Sequence, residues 1–464
     1  MWYNLLFLKH KGAIMDVIIS KMAYLRKSDL TQDQIDFLKY QLTIYPRQFR
    51  PDDREEPKKL ELFQETPNSF AIPRDYFLKR KKDHHKITYQ LQDGDASVFK
   101  KWPITFKGEL RDIQKPIFNS VIQQASNAEL GGIICLGTGT GKSVLTLKLV
   151  TEFKKPTLVI VNKEFLMDQW IDYTKQFVPN ARFGIVQQDQ CDFKDKHIVF
   201  AMIHSLANRD YGKDFYNHFG IVVADEAHHL GSEQWNPVIA KFPARLRYAL
   251  SAKIDRADGA ENAFIYHIGP IIASYHGTMV KPNIRRVWTN FHLTATEKFN
   301  PELMGEATVM KFLCANTTRN LQIIDQTIQA HKAGRKILVL SGRVKHLHLL
   351  AKMFENQWVK TERTPAPSYG FFTGGLEKNV LEKSSNADIM FGTYQMIAEA
   401  FNRPELDTLV LATPVSNILQ AAGRILREHP TKKAPVIVDF RDDLVNMFKS
   451  KGEKRDEIYA ELMK

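Results

Sequence analysis

Cysteine is the rarest residue in this 464-residue chain: Cys135, Cys191 and Cys314 stand far apart, with no C-x-x-C pair. Thiols spaced in this way offer neither a disulfide framework nor the paired ligands of a structural zinc site, and they suit a reducing, cytoplasmic compartment. Cys135, inside an apolar run, reads as a small buried hydrophobe. The 15 histidines show no ligand spacing, and His346 and His348, two apart on helical text, do not share a face. Long hydrophobic runs are also missing. No window approaches the roughly 20 apolar residues that a membrane span requires. The short apolar patch from Trp2 to Leu8 lacks a basic flank and reads as a core strand rather than a leader. Internal repeats and long low-complexity tracts are absent. Acid is scarce relative to base: 52 Asp and Glu face 65 Lys and Arg, a formal charge of +13. That balance favours a polyanionic partner, because neutralising phosphates supplies most non-specific nucleic-acid affinity.

What is present is an ordinary globular composition, 44% hydrophobic and 25% charged, long enough for about three domains. The first 105 or so residues are dense in charge and broken by Pro46, Pro51, Pro57, Pro67 and Pro73. From Glu109 onward, short β-branched apolar runs alternate with helical text, the signature of βαβ units around a parallel sheet. The runs are Gly132 to Leu136, Thr157 to Val161, His197 to Ala201 and Ile221 to Ala224. After a falter between Ile254 and Thr318 a second set follows: Lys336 to Leu340, Ala387 to Phe391, Thr408 to Leu411 and Pro435 to Phe440, with helical text such as Val344 to Phe354 between them. The expected fold is α/β, with two tandem parallel-sheet lobes of the RecA type over residues 106–288 and 289–464, preceded by a small accessory domain over residues 1–105.

The first lobe contains a phosphate-binding pattern. Gly137, Thr138, Gly139, Thr140, Gly141, Lys142 and Ser143 follow an apolar strand and precede helical text. Glycines there let successive N–H groups point at phosphate oxygens, and the helix N-terminus adds a positive dipole end. Lys142 would reach the β- and γ-phosphates of ATP, and Ser143 would ligate Mg²⁺. Leu136 stands where the strict pattern has its first glycine. Further on, Ile221 to Ala224 ends in Asp225-Glu226-Ala227-His228. A carboxylate at that strand end can hold Mg²⁺, the role expected of Asp225, while Glu226 orients or deprotonates the attacking water.

These residues resemble motifs I and II of the superfamily 2 helicases, and the remaining motifs follow in order. Leu110-Arg111-Asp112-Ile113-Gln114 resembles the segment upstream of the phosphate loop, which implies nucleotide contact by Arg111 and adenine contact by Gln114. Pro156 to Val161 with Gln169-Trp170 resembles motif Ia, and Ser251-Ala252-Lys253 resembles motif III. Lys336 to Arg343 resembles motif IV, and Phe391-Gly392-Thr393 with Glu399 resembles motif V. Gln420-Ala421-Ala422-Gly423-Arg424-Ile425-Leu426-Arg427 is a close match to motif VI. Arg424 and Arg427 share a helix face, and a guanidinium fork suits a γ-phosphate whose charge spreads in the transition state. The resemblance implies that the second lobe supplies them, with Gln420, to ATP held by the first, so that hydrolysis requires closure. The Q-W pair, Arg256-Ala257-Asp258-Gly259, Ile72-Pro73-Arg74 and Val438-Asp439-Phe440-Arg441-Asp442-Asp443 resemble the UvsW-like and XPB-like branch. The chain departs from that branch at Lys253, Ile254, Ala257 and Ala400.

The branch implies a DNA helicase or translocase that remodels branched or forked DNA, acting in the host cytoplasm if phage-encoded. A double-strand translocase and an RNA remodeller are the alternatives. Asn162, Lys163, His204, Ser205, Ser341, Arg343, Gly392 and Thr393 are the expected phosphate contacts, which carry no sequence preference. Lys79-Arg80-Lys81-Lys82 with His84, His85 and Lys86 is the densest basic run, and Tyr76, Phe77 and Tyr89 beside it are candidates to stack on an unpaired base.

Overall fold

The computed structural model describes residues 15–46, 59–126, 130–137, 140–227, 237–251, 261–275, 280–293, 304–400, 403, 405–426, 429 and 432–463. Trp2 to Leu8 lies outside them. The chain forms two compact units, Met1–Gly277 and Thr278–Lys464.

The first unit is built on an eight-stranded sheet. Its order is Gln190–Cys191, Phe183–Gln187, Ile198–Met202, Thr157–Val161, Ile221–Ala224, Leu246–Ser251, Gly131–Leu136 and Ile271–Tyr275. All pairings are parallel except that of Gln190–Cys191. The expected β-branched runs fall on these strands because a parallel strand covered by helices on both faces must be apolar throughout. Alternation then divides one run between two cores: Val159 and Val161 pack on one side, Leu158 and Ile160 on the other. Burying each such side chain contributes roughly 1.5–3 kcal/mol.

The same unit carries a second sheet, ordered Gln64–Glu65, Ser69–Ile72, Ala23–Arg26, Met15–Ile19 and His85–Tyr89. Here Val17 and Ile19 point inward while Asp16 and Ile18 face water. Helix Gln32–Gln41 lies on the inner side, opened by a capping box between Thr31 and Gln34. The accessory segment therefore has its own core, yet it is not a separate unit. Two buried arginines join it to the large sheet reciprocally. Arg74, just after Pro73, donates to the carbonyls of Ala244 (2.8 Å), Arg245 (3.0 Å) and Leu130 (3.1 Å). Arg247 reaches back to that of Lys21 (2.6 Å) and also donates to the nearby carbonyls of Phe242 (2.5 Å) and His267 (3.3 Å). Burial pushes Arg74 down to about 9 and also holds Arg247 well below the usual guanidinium range. Gln92 continues the junction, with its N–H on Pro243 O and its carbonyl accepting from Arg245 N, both at 2.8 Å.

Burial also corrects the stacking expectation. Tyr76 and Phe77 are fully buried in the accessory core, and Arg80 lies over the Tyr76 ring at 3.8 Å. Tyr89 remains exposed.

The second unit is a six-stranded, wholly parallel sheet ordered Asn283–Trp288, Val436–Arg441, Thr408–Leu411, Ile337–Ser341, Ile389–Thr393 and Tyr369–Phe372. Asn283–Trp288 pairs with Val436–Arg441, so the division falls before this strand and not after residue 288. Leu338, Leu340, Met390 and Leu409 face one core, Ile337, Val339, Ile389 and Val410 the other. Tandem parallel-sheet lobes of the RecA type, with helices on both faces, are thus the architecture. Among the described residues no helix is long and apolar enough to cross a membrane.

Candidate active site

The phosphate loop leaves the end of strand Gly131–Leu136. Gly137 N–H donates to Tyr275 O at 2.9 Å, and the Thr140 hydroxyl donates to Gly137 O at 2.7 Å, closing the turn. Thr138 and Gly139 lie outside the described residues. Gly141 has φ +85 and precedes helix Lys142–Phe153, and a Cβ there would meet Gln114 Nε2 at 2.4 Å. Both facts require glycine. Leu136, where the strict pattern has glycine, is fully buried as the last strand residue.

Gln114 is buried, and its amide nitrogen donates to the carbonyls of Thr140 (2.9 Å) and Gly141 (3.1 Å). Its Oε1 accepts from Arg111 N at 2.9 Å. In this structure Gln114 therefore ties the phosphate loop to the segment before it.

Asp225 and Glu226 continue strand Ile221–Ala224, with Asp225 N–H on Ile160 O at 3.0 Å. Lys142 Nζ donates to Glu226 Oε1 at 2.8 Å, the two side chains being 10% and 22% exposed. Glu226 has φ +45, a left-handed conformation that costs about 1–3 kcal/mol in a non-glycine residue and collects at functional sites. Asp225 is buried. Its Oδ1 accepts from Glu226 N (2.9 Å) and its Oδ2 from the Trp170 indole N–H (2.8 Å). Burial raises its carboxyl above the usual range, the Glu226 charge adds to this, and Lys142 and Trp170 oppose it. Such a carboxylate suits a cation. Among the described residues there is no group of three or more His, Cys, Asp or Glu able to hold a metal alone. A divalent ion here would need phosphate oxygens and water as well.

The neighbouring strand ends carry the expected first-lobe track. Val161 and Met202 are partners in register, so Asn162-Lys163 and His204 emerge side by side. Asn162 Oδ1 has no partner among the described residues, and His204 is exposed. Ser205 is buried, with its hydroxyl accepting from Gln188 N at 2.9 Å. That oxygen organises a turn rather than facing outward.

In the second unit Ser341 and Thr393 are also partners in register. Ser341 is fully buried. Its oxygen accepts from Arg343 N (3.1 Å) and lies 3.0 Å from His346 Nδ1, while His346 Nε2 lies 2.9 Å from Asn320 Oδ1. Burial pushes His346 down to about 3. The neutral ring thus donates from Nε2 to Asn320 and accepts the Ser341 proton at Nδ1. Ser341 shapes the turn, and the exposed side chain is that of Arg343. Gly392 is buried, with no room for a Cβ beside Ile397 Cγ1 at 2.9 Å. Thr393 is half-buried. Helix Leu419–Ile425 carries Gln420 and the buried Arg424, whose Nε donates to Ile397 O at 3.0 Å. Arg427, Glu399's side chain, His228 and residues 252–260 are outside what the structure describes.

Sequence reasoning overlooked three features. Trp170 was legible only as half of a Q-W pair. Arg319, fully buried, holds Asp442 through two bonds (2.7 and 2.9 Å) and Ala412 O at 2.7 Å. Arg74 and Arg247 gave no signal beyond the Ile-Pro-Arg phrase.

Residues 107–256 match the family model described as the type III restriction enzyme, res subunit. An Acanthamoeba polyphaga mimivirus protein, "Putative ATP-dependent RNA helicase L396", is 27% identical over 95% of this chain and 84% of its own length. "Putative ATP-dependent RNA helicase QP509L" of African swine fever virus (strain Badajoz 1971 Vero-adapted) is 26% identical over 67% of the chain, and the match spans 64% of that protein. Among solved structures, "The fragment structure of a putative HsdR subunit of a type I restriction enzyme from Vibrio vulnificus YJ016" shares the fold, with a TM-score of 0.54 and 17% identity over 72% of this chain and 65% of that one. With a phosphate loop and an acidic strand end on one parallel sheet, and a second such sheet following, the chain is similar over most of its length to proteins named as ATP-dependent helicases.

Proposed function

We propose that the chain is an ATP-driven motor that tracks along DNA and remodels branched or forked duplexes, by branch migration, fork reversal or unwinding. The observation that carries this reading is a shared sheet edge. Asp225 and Glu226 leave the strand that pairs with Thr157–Val161 on one side, and His204 follows the strand that pairs with it on the other. Asn162 and Lys163 stand between them. A phosphate site and a backbone track on adjoining strand ends can couple nucleotide state to grip. Phosphate contact makes that grip independent of sequence.

In the reaction, Gly137 to Gly141 with Arg111 and Gln114 hold the nucleotide, and Lys142 neutralises its β- and γ-phosphates. Ser143 and Asp225 hold Mg²⁺, which when bound offsets phosphate charge. Glu226 orients the attacking water, and Gln420, Arg424 and Arg427 are the residues proposed to meet the γ-phosphate. Arg343 and Thr393 extend the track, and the basic run from Lys79 to Lys86 with Tyr89 guides a branch. Cysteines that form no disulfide in the structure fit action in the cytoplasm.

The +13 charge supports a nucleic-acid partner, and the UvsW-like and XPB-like motif text supports DNA. A second reading, RNA remodelling, is favoured by the names of the two viral relatives. ATP turnover measured with single strand, linear duplex, fork, four-way junction, RNA duplex and RNA–DNA hybrid separates them, with Lys142→Ala beside each. The strongest stimulation on forks and junctions is expected. Equal stimulation by linear duplex points to a double-strand translocase, and RNA as the strongest activator overturns the DNA reading.

A further inference from the structure

Trp170 lies in helix Glu164–Phe177, which begins directly after Asn162 and Lys163, and it is 1% exposed. Its ring packs in the core beneath the sheet, against Phe200 among others. A phenylalanine would meet that packing need. The indole nitrogen instead donates to Asp225 Oδ2 at 2.8 Å, while Glu226 N takes Oδ1 at 2.9 Å. Each carboxylate oxygen so held keeps lone-pair capacity for one more partner. A carboxyl in a buried site otherwise has a soft torsion and a tendency to take up a proton.

We propose that Trp170 is a positioning residue for the divalent cation that accompanies the nucleotide: its N–H fixes the Asp225 carboxylate, whose oxygens keep lone-pair capacity for the ion and its water shell. The idea rests on the nucleotide-binding reading above and adds a residue to it. It also links two parts of the chain, since the helix that carries Trp170 starts at the expected strand-contacting residues.

The test uses the full chain and a fluorescent ADP analogue, with its affinity measured in EDTA and in Mg²⁺ for wild type, Trp170→Phe, Asp225→Asn and the double variant. Wild type should bind more tightly in Mg²⁺. Trp170→Phe should match wild type in EDTA and lose about tenfold of the Mg²⁺-dependent gain, one charge-assisted hydrogen bond's worth. Because Trp170 acts through Asp225, the double variant should be no worse than Asp225→Asn alone. Full retention of the gain in Trp170→Phe, or additive losses in the double variant, overturns the proposal. Absence of any wild-type nucleotide binding brings down the ATP reading itself, a different result. Should Trp170→Phe fail to fold, indole ¹⁵N spectra of Asp225→Ala serve instead. One of the six tryptophan N–H signals must shift and exchange faster, and an unchanged set refutes the contact.

Discussion

The phosphate-loop lysine is paired with Glu226, so the carboxylate proposed above to orient water should also act as a brake on nucleotide binding. Lys142 and Glu226 meet at 2.8 Å with 10% and 22% side-chain exposure. At that distance the gross Coulomb attraction is about 6 kcal/mol for an effective dielectric of 20. Desolvation cancels most of it, leaving the roughly 1.5–3 kcal/mol typical of a hydrogen bond to a charged group. Phosphates that take Lys142 must replace this bond. Glu226→Gln keeps an acceptor oxygen but loses the charge, about half the strength, so nucleotide affinity should rise roughly fivefold. Glu226→Ala removes the acceptor too and should raise it by about ten- to a hundredfold. Both should abolish turnover. Calorimetric titration of the two variants with ADP at fixed Mg²⁺ checks the order. An affinity that stays level or falls refutes the reasoning, because it means that Lys142 gains nothing from release.

Arg74→Ala should destabilise the first unit by about 2–5 kcal/mol. Leu130 O keeps the Arg247 N–H as a donor, so the carbonyls of Ala244 and Arg245 bear most of the loss, read as a lower melting temperature together with accessory-segment proteolysis. Asp442→Asn, almost isosteric, leaves the fully buried Arg319 without its counter-ion and should cost about 3–5 kcal/mol in urea unfolding. His346 is held neutral at about 3 in the fold, against about 6.5 unfolded. Its contribution is complete above pH 6.5 and falls as pH drops from there toward 3. At pH 5 the loss should be about 2 kcal/mol, and His346→Gln should flatten that part of the stability profile.

Much of this molecule is legible in its text, and the reason is physical. Parallel strands buried on both faces have to be continuously apolar, so Thr157–Val161, Ile221–Ala224 and Thr408–Leu411 stand out at their true limits. The phosphate loop is legible because its chemistry is local: glycine for a left-handed turn, a lysine at the helix start, a hydroxyl after it. Motif residues named for contact fared less evenly. Arg343 and His204 face outward, whereas Ser205 and Ser341 are enclosed, since a small hydroxyl serves a turn as readily as a ligand.

Tertiary structure alone decided the rest. The Trp170 to Asp225 bond joins residues 55 apart in sequence, and the Arg319 to Asp442 pair joins residues 123 apart. No local period encodes such pairings. Asn283–Trp288 belongs to the second unit because its hydrogen bonds go to Val436–Arg441, and spacing does not show a strand's partner. The accessory segment reads as a separate charged domain because its junction uses arginines, residues that composition assigns to the surface. Folding buries them by offering backbone carbonyls, acceptors that every residue carries and no sequence pattern distinguishes.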